Sequence, residues 1–116
     1  MSSRTEIARL QTIAELMLDH RLSGLKVAAH AKAKSEAASA ALAGTPEADG
    51  LEGAAAALVG LTYQRWADAR RAEINLQLAL QTRDWLDAQS HAREAFGKSQ
   101  ALNALAARLK ASRDAD

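Results

Sequence analysis

Apolar residues in the first part of the chain step by threes and fours: Ile7, Leu10, Ala14, Leu18, Leu22, Leu25, Ala29, Ala33, Ala37 and Ala40. That spacing gathers them on one side of a helix. A second set further on, Ala54, Leu58, Leu61, Trp66, Ala69, Ala72, Leu76 and Leu80, does the same. Between them lies Gly44-Thr45-Pro46-Glu47-Ala48-Asp49-Gly50, which holds the one proline of the chain. Proline lacks the N–H a helix needs and glycine lacks backbone restraint, so this cluster marks the turn. The pattern predicts an all-α fold, an alanine-rich antiparallel helical hairpin of coiled-coil type. Helix one is expected over 3–43, the turn over 44–50 and a longer helix two over 51–113, in a single domain spanning 1–116.

Local signals refine the ends. Ser3-Arg4-Thr5-Glu6 has the form of a capping box. Gly44 is placed to supply a left-handed residue at the end of helix one. Helix two has two open starts, Thr45 with Pro46 behind it or Asp49 with Glu52 three residues on. No later proline interrupts helix two, and a bend or a third helix after about residue 90, near Ser90 or Gly97, stays open.

The apolar set of helix one repeats closer to every eleven residues than every seven, which predicts a nearly straight or slightly right-handed pair. A fold centred on residue 47 sets large residues against small ones: Leu22 against Ala72, Leu25 against Ala69, Ala33 against Leu61, Ala37 against Leu58 and Ala14 against Leu80. Trp66 falls opposite Ala28 and Ala29, where it fills the space beside alanine. In that register helix one ends opposite Ser90, leaving 91–113 as an overhang. The overhang keeps a seven-residue beat through Ala88, Ala92, Ala95, Ser99, Leu102, Ala106 and Leu109, with Phe96 and Leu105 beside it. An isolated helix of this kind is marginal in water, so its stripe predicts a partner or a second copy.

Composition narrows the classes of function. Alanine supplies about a quarter of the chain and aromatics 3%, which suits thin, closely spaced helices and not a thick core. Fifteen basic residues nearly cancel fourteen acidic ones, so the charge points neither to nucleic acid nor to an acidic membrane. There are no cysteines, and hence no disulfide or thiolate site. The most apolar run, Leu51 to Leu61, is far short of the ~20 residues that span a bilayer. A cytoplasmic location is expected.

Candidate chemistry is sparse. His20, His30 and His91 follow no metal-ligand spacing. A metal bundle would need one of them together with Glu94 in a dimer. Glu15 and Asp19 lie one turn apart among basic neighbours, which reads as a solvated face. No phosphate loop or serine nucleophile elbow is present. The expectation is therefore no enzyme, no catalytic or metal residue and no cofactor. The candidate contact residues are Tyr63 and Arg70, in the stretch Tyr63-Gln64-Arg65-Trp66-Ala67-Asp68-Ala69-Arg70-Arg71, and Phe96, Leu102, Leu105 and Leu109 in the overhang. Tyrosine, tryptophan and arginine are enriched at binding hot spots.

The stretches Ile7-Ala8-Arg9-Leu10-Gln11-Thr12-Ile13-Ala14-Glu15-Leu16 and Leu61-Thr62-Tyr63-Gln64-Arg65-Trp66-Ala67-Asp68-Ala69-Arg70-Arg71-Ala72-Glu73, on a hairpin with a longer second arm, resemble the family of the flagellar export component FliJ and its injectisome counterpart YscO. The resemblance implies a non-enzymatic rod that docks on an export ATPase and an export gate. The reading from the residues is a coiled-coil adaptor or stalk acting by helix-to-helix contacts. A structural homo-oligomer joined through the overhang, and a dimeric bundle with a metal or catalytic site, are the alternatives.

Overall fold

The computed structural model describes residues 3–44, 50 and 52–115. They form two helices, α1 (Ser3–Ala40, 38 residues) and α2 (Ala54–Ala115, 62 residues), packed as an all-α hairpin with the longer helix second. Alanine, leucine, lysine, arginine, glutamine and glutamate dominate both, and these are strong helix formers. Helix α2 is continuous through Ser90 and Gly97, so 91–113 neither bends away nor folds into a third helix.

The ends depart from the sequence reading by a few residues. Ser3 is already helical, one position later than a capping residue stands. Helix α1 stops at Ala40, short of residue 43. The chain tightens there, as the Leu42 N–H donates to the Ser39 carbonyl and the Ala43 N–H to the Ala40 carbonyl, both at 3.1 Å. Such three-residue bonds close a helix end. Gly44 does not supply a left-handed residue; Gly50 (φ 80°) and Gly53 (φ 58°) do. Helix α2 opens at Ala54, after the Gly53 carbonyl accepts the Ala57 N–H at 3.1 Å, and not at residue 51. The proposed caps at Thr45, Pro46 and Asp49 lie outside the described residues.

Packing divides the chain into two compact units. The terminal unit joins Met1–Ala28 to Trp85–Asp116, and the turn unit is Ala29–Asp84. In the terminal unit the Gln11 Nε2 donates to Asn103 Oδ1 at 2.9 Å. A fold centred on residue 47 would have put Arg83 at that place. In the turn unit the Arg71 Nη2 donates to the Leu42 carbonyl at 2.6 Å, where the expected partner was Glu52. Each unit therefore pairs its segments in a register well beyond the one the sequence suggested.

Three corrections follow. Leu22, Leu25 and Ala14 belong to the terminal unit, whereas their expected partners Ala72, Ala69 and Leu80 belong to the turn unit. Ala33, Ala37, Leu58 and Leu61 are all exposed, and Trp66, at 56% exposure, fills no gap beside alanine. The overhang is not one, because 91–113 has the first turns of α1 packed against it. Helix α1 ends at Ala40 and Arg71 already stands beside Leu42, so the opening of α2, from Ala54, lies beyond the end of α1.

The period is also corrected. Buried and half-buried positions on α2 run Gln64, Ala67, Arg71, Ile74, Leu78, Gln81, Trp85, Ala88, Ala92, Ala95, Ser99, Leu102, Ala106 and Leu109. On α1 they include Ile7, Gln11, Ala14, Leu18, Leu25, Ala28, Lys32, Ser35 and Ser39. Both sequences advance by threes and fours, apart from one step of seven from Leu18 to Leu25, on a seven-residue beat, the spacing of a left-handed coiled coil. On α2 the beat foreseen only for 88–109 holds back to Gln64.

Candidate functional site

The terminal unit carries a groove of about 390 Å³ along one flank of its helix pair. Leu10, Ile13 and Met17 form one wall from α1, and Ala101 and Leu102 form the other from α2. Ala14 and Ala95, both buried, lie at its floor. Heptad geometry explains the groove: Leu10 and Met17 are seven residues apart beside the seam, and alanine in the seam leaves room between the helices. Charged groups gather at one end, where Arg21, His91, Glu94 and Lys98 line the rim. Lys98 pairs with Glu94 at 3.3 Å. Further along the same unit, Ile7 and Leu109 line a larger recess of about 800 Å³ with Arg4, Lys110 and Arg113 around it.

The turn unit offers a shallow apolar recess. Tyr63 and Trp66 meet with ring centroids 5.7 Å apart at a 42° tilt. Leu58, Val59 and Thr62 extend this patch along the opening of α2. Tyr63 is half-buried and Trp66 exposed. Arg70 is exposed and paired with Glu73 at 2.9 Å, an i,i+3 bridge on one helix face. Arg71 has a different position: it bonds the Leu42 carbonyl and pairs with Asp68 at 2.9 Å. It thereby holds a carbonyl at the close of α1, where a cation is favoured.

The candidate residues named from the sequence do not form one surface. Tyr63 and Arg70 belong to the turn unit, and Phe96, Leu102, Leu105 and Leu109 to the terminal unit. Leu102 and Leu109 are half-buried in the seam against α1. Phe96 and Leu105 are exposed, but they lie nine residues apart, which at ~100° per residue puts them on opposite sides of α2. Leu105 follows Lys98 by seven residues and so continues the flank on which the groove opens. Ile13, Met17 and Arg71 were missed. Ile13 and Met17 sit a single position off the stripe traced on α1. Arg71 falls three or four residues from Ala67 and Ile74, a spacing that marks it as a seam residue.

Other candidate chemistry is dispersed. His20, His30 and His91 are exposed, as are Glu15 and Asp19. Among the described residues no three His, Cys, Asp or Glu side chains are grouped to hold a metal ion, and no helix is long and apolar enough to cross a membrane. A scan against protein-family models returns no match, and comparisons with characterised proteins and with solved structures return none either.

Proposed function

We propose that this chain is a non-enzymatic coiled-coil adaptor or stalk, working in the cytoplasm through helix-to-helix contacts. The observation that carries this reading is the apolar groove of the terminal unit. Leu10, Ile13 and Met17 are all largely exposed, yet they converge with Leu102 on one trough between two helices. A trough of this kind accepts the apolar face of an amphipathic helix, read as anchors at helical spacing. Methionine adapts its shape to such a partner. The charged rim of Arg21, Glu94 and Lys98 supplies orientation more than affinity. The narrower form of the proposal follows the type III export resemblance, in which the partner is an export ATPase or an export gate.

The test is capture from cells of the source organism with the intact chain and with a Leu10→Glu/Met17→Glu variant. The expected result is a partner recovered by the first and lost by the second, while circular dichroism of the two is the same. Identification of an export ATPase or gate protein would support the narrower form. Recovery of nothing, or of the same proteins by both, would remove the adaptor reading.

A further inference from the structure

The face of α2 turned away from the seam in the turn unit is largely apolar, and several of its residues are placed symmetrically about Ala69. Leu58, Leu61, Trp66, Ala69, Ala72, Leu76 and Leu80 lie along it, and all are exposed. Since Ala67, Ile74 and Leu78 occupy the seam on the other side, this stretch of α2 is apolar on opposite sides. A helix of that composition is normally covered all round.

The geometry points to a second copy of this chain as the cover, forming an antiparallel dimer whose two-fold axis passes beside Ala69. The inference rests on the helix-to-helix reading above and names one partner for it. An isologous interface must be complementary to itself under a two-fold. Leu58 and Leu80 stand eleven residues either side of Ala69, so each leucine of one copy meets the opposite leucine of the other. Trp66 and Ala72 stand three residues either side, so the indole is set against the small residue. Alanine on the axis itself lets the two helices approach closely. The charges obey the same symmetry: Arg65 and Glu73, both exposed, lie four residues either side, so Arg65 of one copy joins Glu73 of the other beside the existing Arg70–Glu73 pair.

The surface of the whole chain is large enough to supply such an interface. The chain exposes 8672 Å². A folded monomer of its 12.3 kDa mass exposes roughly 6,100 Å². The excess is about 2,500 Å², whereas a stable complex takes ~800 Å² from each partner. A net charge of +1 sets little repulsion against self-pairing.

The experiment uses the purified full-length chain. Sedimentation equilibrium should give twice the 12.3 kDa chain mass. The chain has no cysteine, so single substitutions report proximity. Under oxidation an Ala69→Cys variant should form a linked dimer and a Leu58→Cys variant should not, because antiparallel pairing holds the two copies of position 58 about 33 Å apart. Arg65→Glu should weaken the dimer roughly tenfold, and adding Glu73→Arg should restore it. A monomeric mass, or cross-linking through position 58, overturns the proposal. The groove of the terminal unit takes no part in this assay, so a monomer removes the dimer and leaves the adaptor reading to its own test.

Discussion

The two units share one heptad beat and use it in opposite ways. In the terminal unit the seam is mostly apolar, with Ile7, Ala14, Ala92 and Ala95 buried and Leu18, Leu102 and Leu109 half-buried, and Gln11 and Ser99 as its polar members. In the turn unit Ala67, Ile74 and Leu42 are buried, but they alternate with Lys32, Ser35, Ser39, Gln64, Arg71 and Gln81. Most of the other large apolar residues of that unit stand outside, with Leu76 at 69% exposure. Position in the heptad therefore decides which side chain faces the partner helix, whatever its hydrophobicity. Polar residues in a seam lower stability but fix register, because few alignments satisfy them. Gln81 Oε1 shows the cost, being buried with no hydrogen-bond partner.

Ile74 provides the strongest way to break the comparison. At 2% exposure it is the one large side chain of the described residues that is fully buried. Its neighbours along the seam, Arg71 and Leu78, cannot collapse onto a void without moving the helix. Ile74→Ala should cost about 2–5 kcal/mol, the range for a buried aliphatic cut to alanine. Thermal unfolding followed by circular dichroism measures it. A loss below ~1 kcal/mol would mean that the turn unit is not held by this seam.

Arg71 tests the polar part of the same seam. Arg71→Met keeps the length and the apolar stem of the side chain but removes the part-buried bond to the Leu42 carbonyl and the pair with Asp68. Loss of a charge-assisted bond costs about 1.5–3 kcal/mol, and a part-buried one belongs at the low end. Most of the effect should come from the carbonyl, since Asp68 is exposed and its pair is screened. Hydrogen exchange should quicken at the amides of Ser39 to Ala43 while those of the terminal unit keep their protection. Uniform acceleration along the whole chain would show that the two units unfold together.

Much of this was legible in the sequence and part was not, for physical reasons. The helical class, the break between the two helices and the greater length of the second helix follow from breakers, and breakers act locally. The seven-residue beat from Ala88 to Leu109 was also readable, because there the apolar residues and the seam coincide. Between Ala54 and Leu80 they diverge: the strongest stripe, Leu58, Leu61, Trp66, Leu76 and Leu80, faces outward, and Gln64, Arg71 and Gln81 point in. Ranking positions by hydrophobicity there selects the wrong face and, with it, a register centred too early on residue 47. The same error left 91–113 without a partner and made Leu102 and Leu109 look like free contact residues. A search for one unbroken heptad along all of α2 would have joined Ala88–Leu109 to Ala67, Ile74 and Leu78 and found the seam.

Phe96 gives the smallest expected effect and sharpens the terminal unit. It follows the buried Ala95 directly, but one step of ~100° carries its side chain out of the seam, where it is 54% exposed. Ala95→Leu should overpack the helices and cost about 1–3 kcal/mol. Phe96→Ser removes a much larger apolar side chain, yet it should change stability by no more than about 0.5 kcal/mol, as surface substitutions do. Size and hydrophobicity alone would rank the two the other way, so the pair separates heptad position from side-chain character. Urea unfolding of both variants at one protein concentration decides it. If Phe96→Ser proves the costlier, Phe96 is covered in solution, and a loss that grows on dilution would identify another chain as the cover.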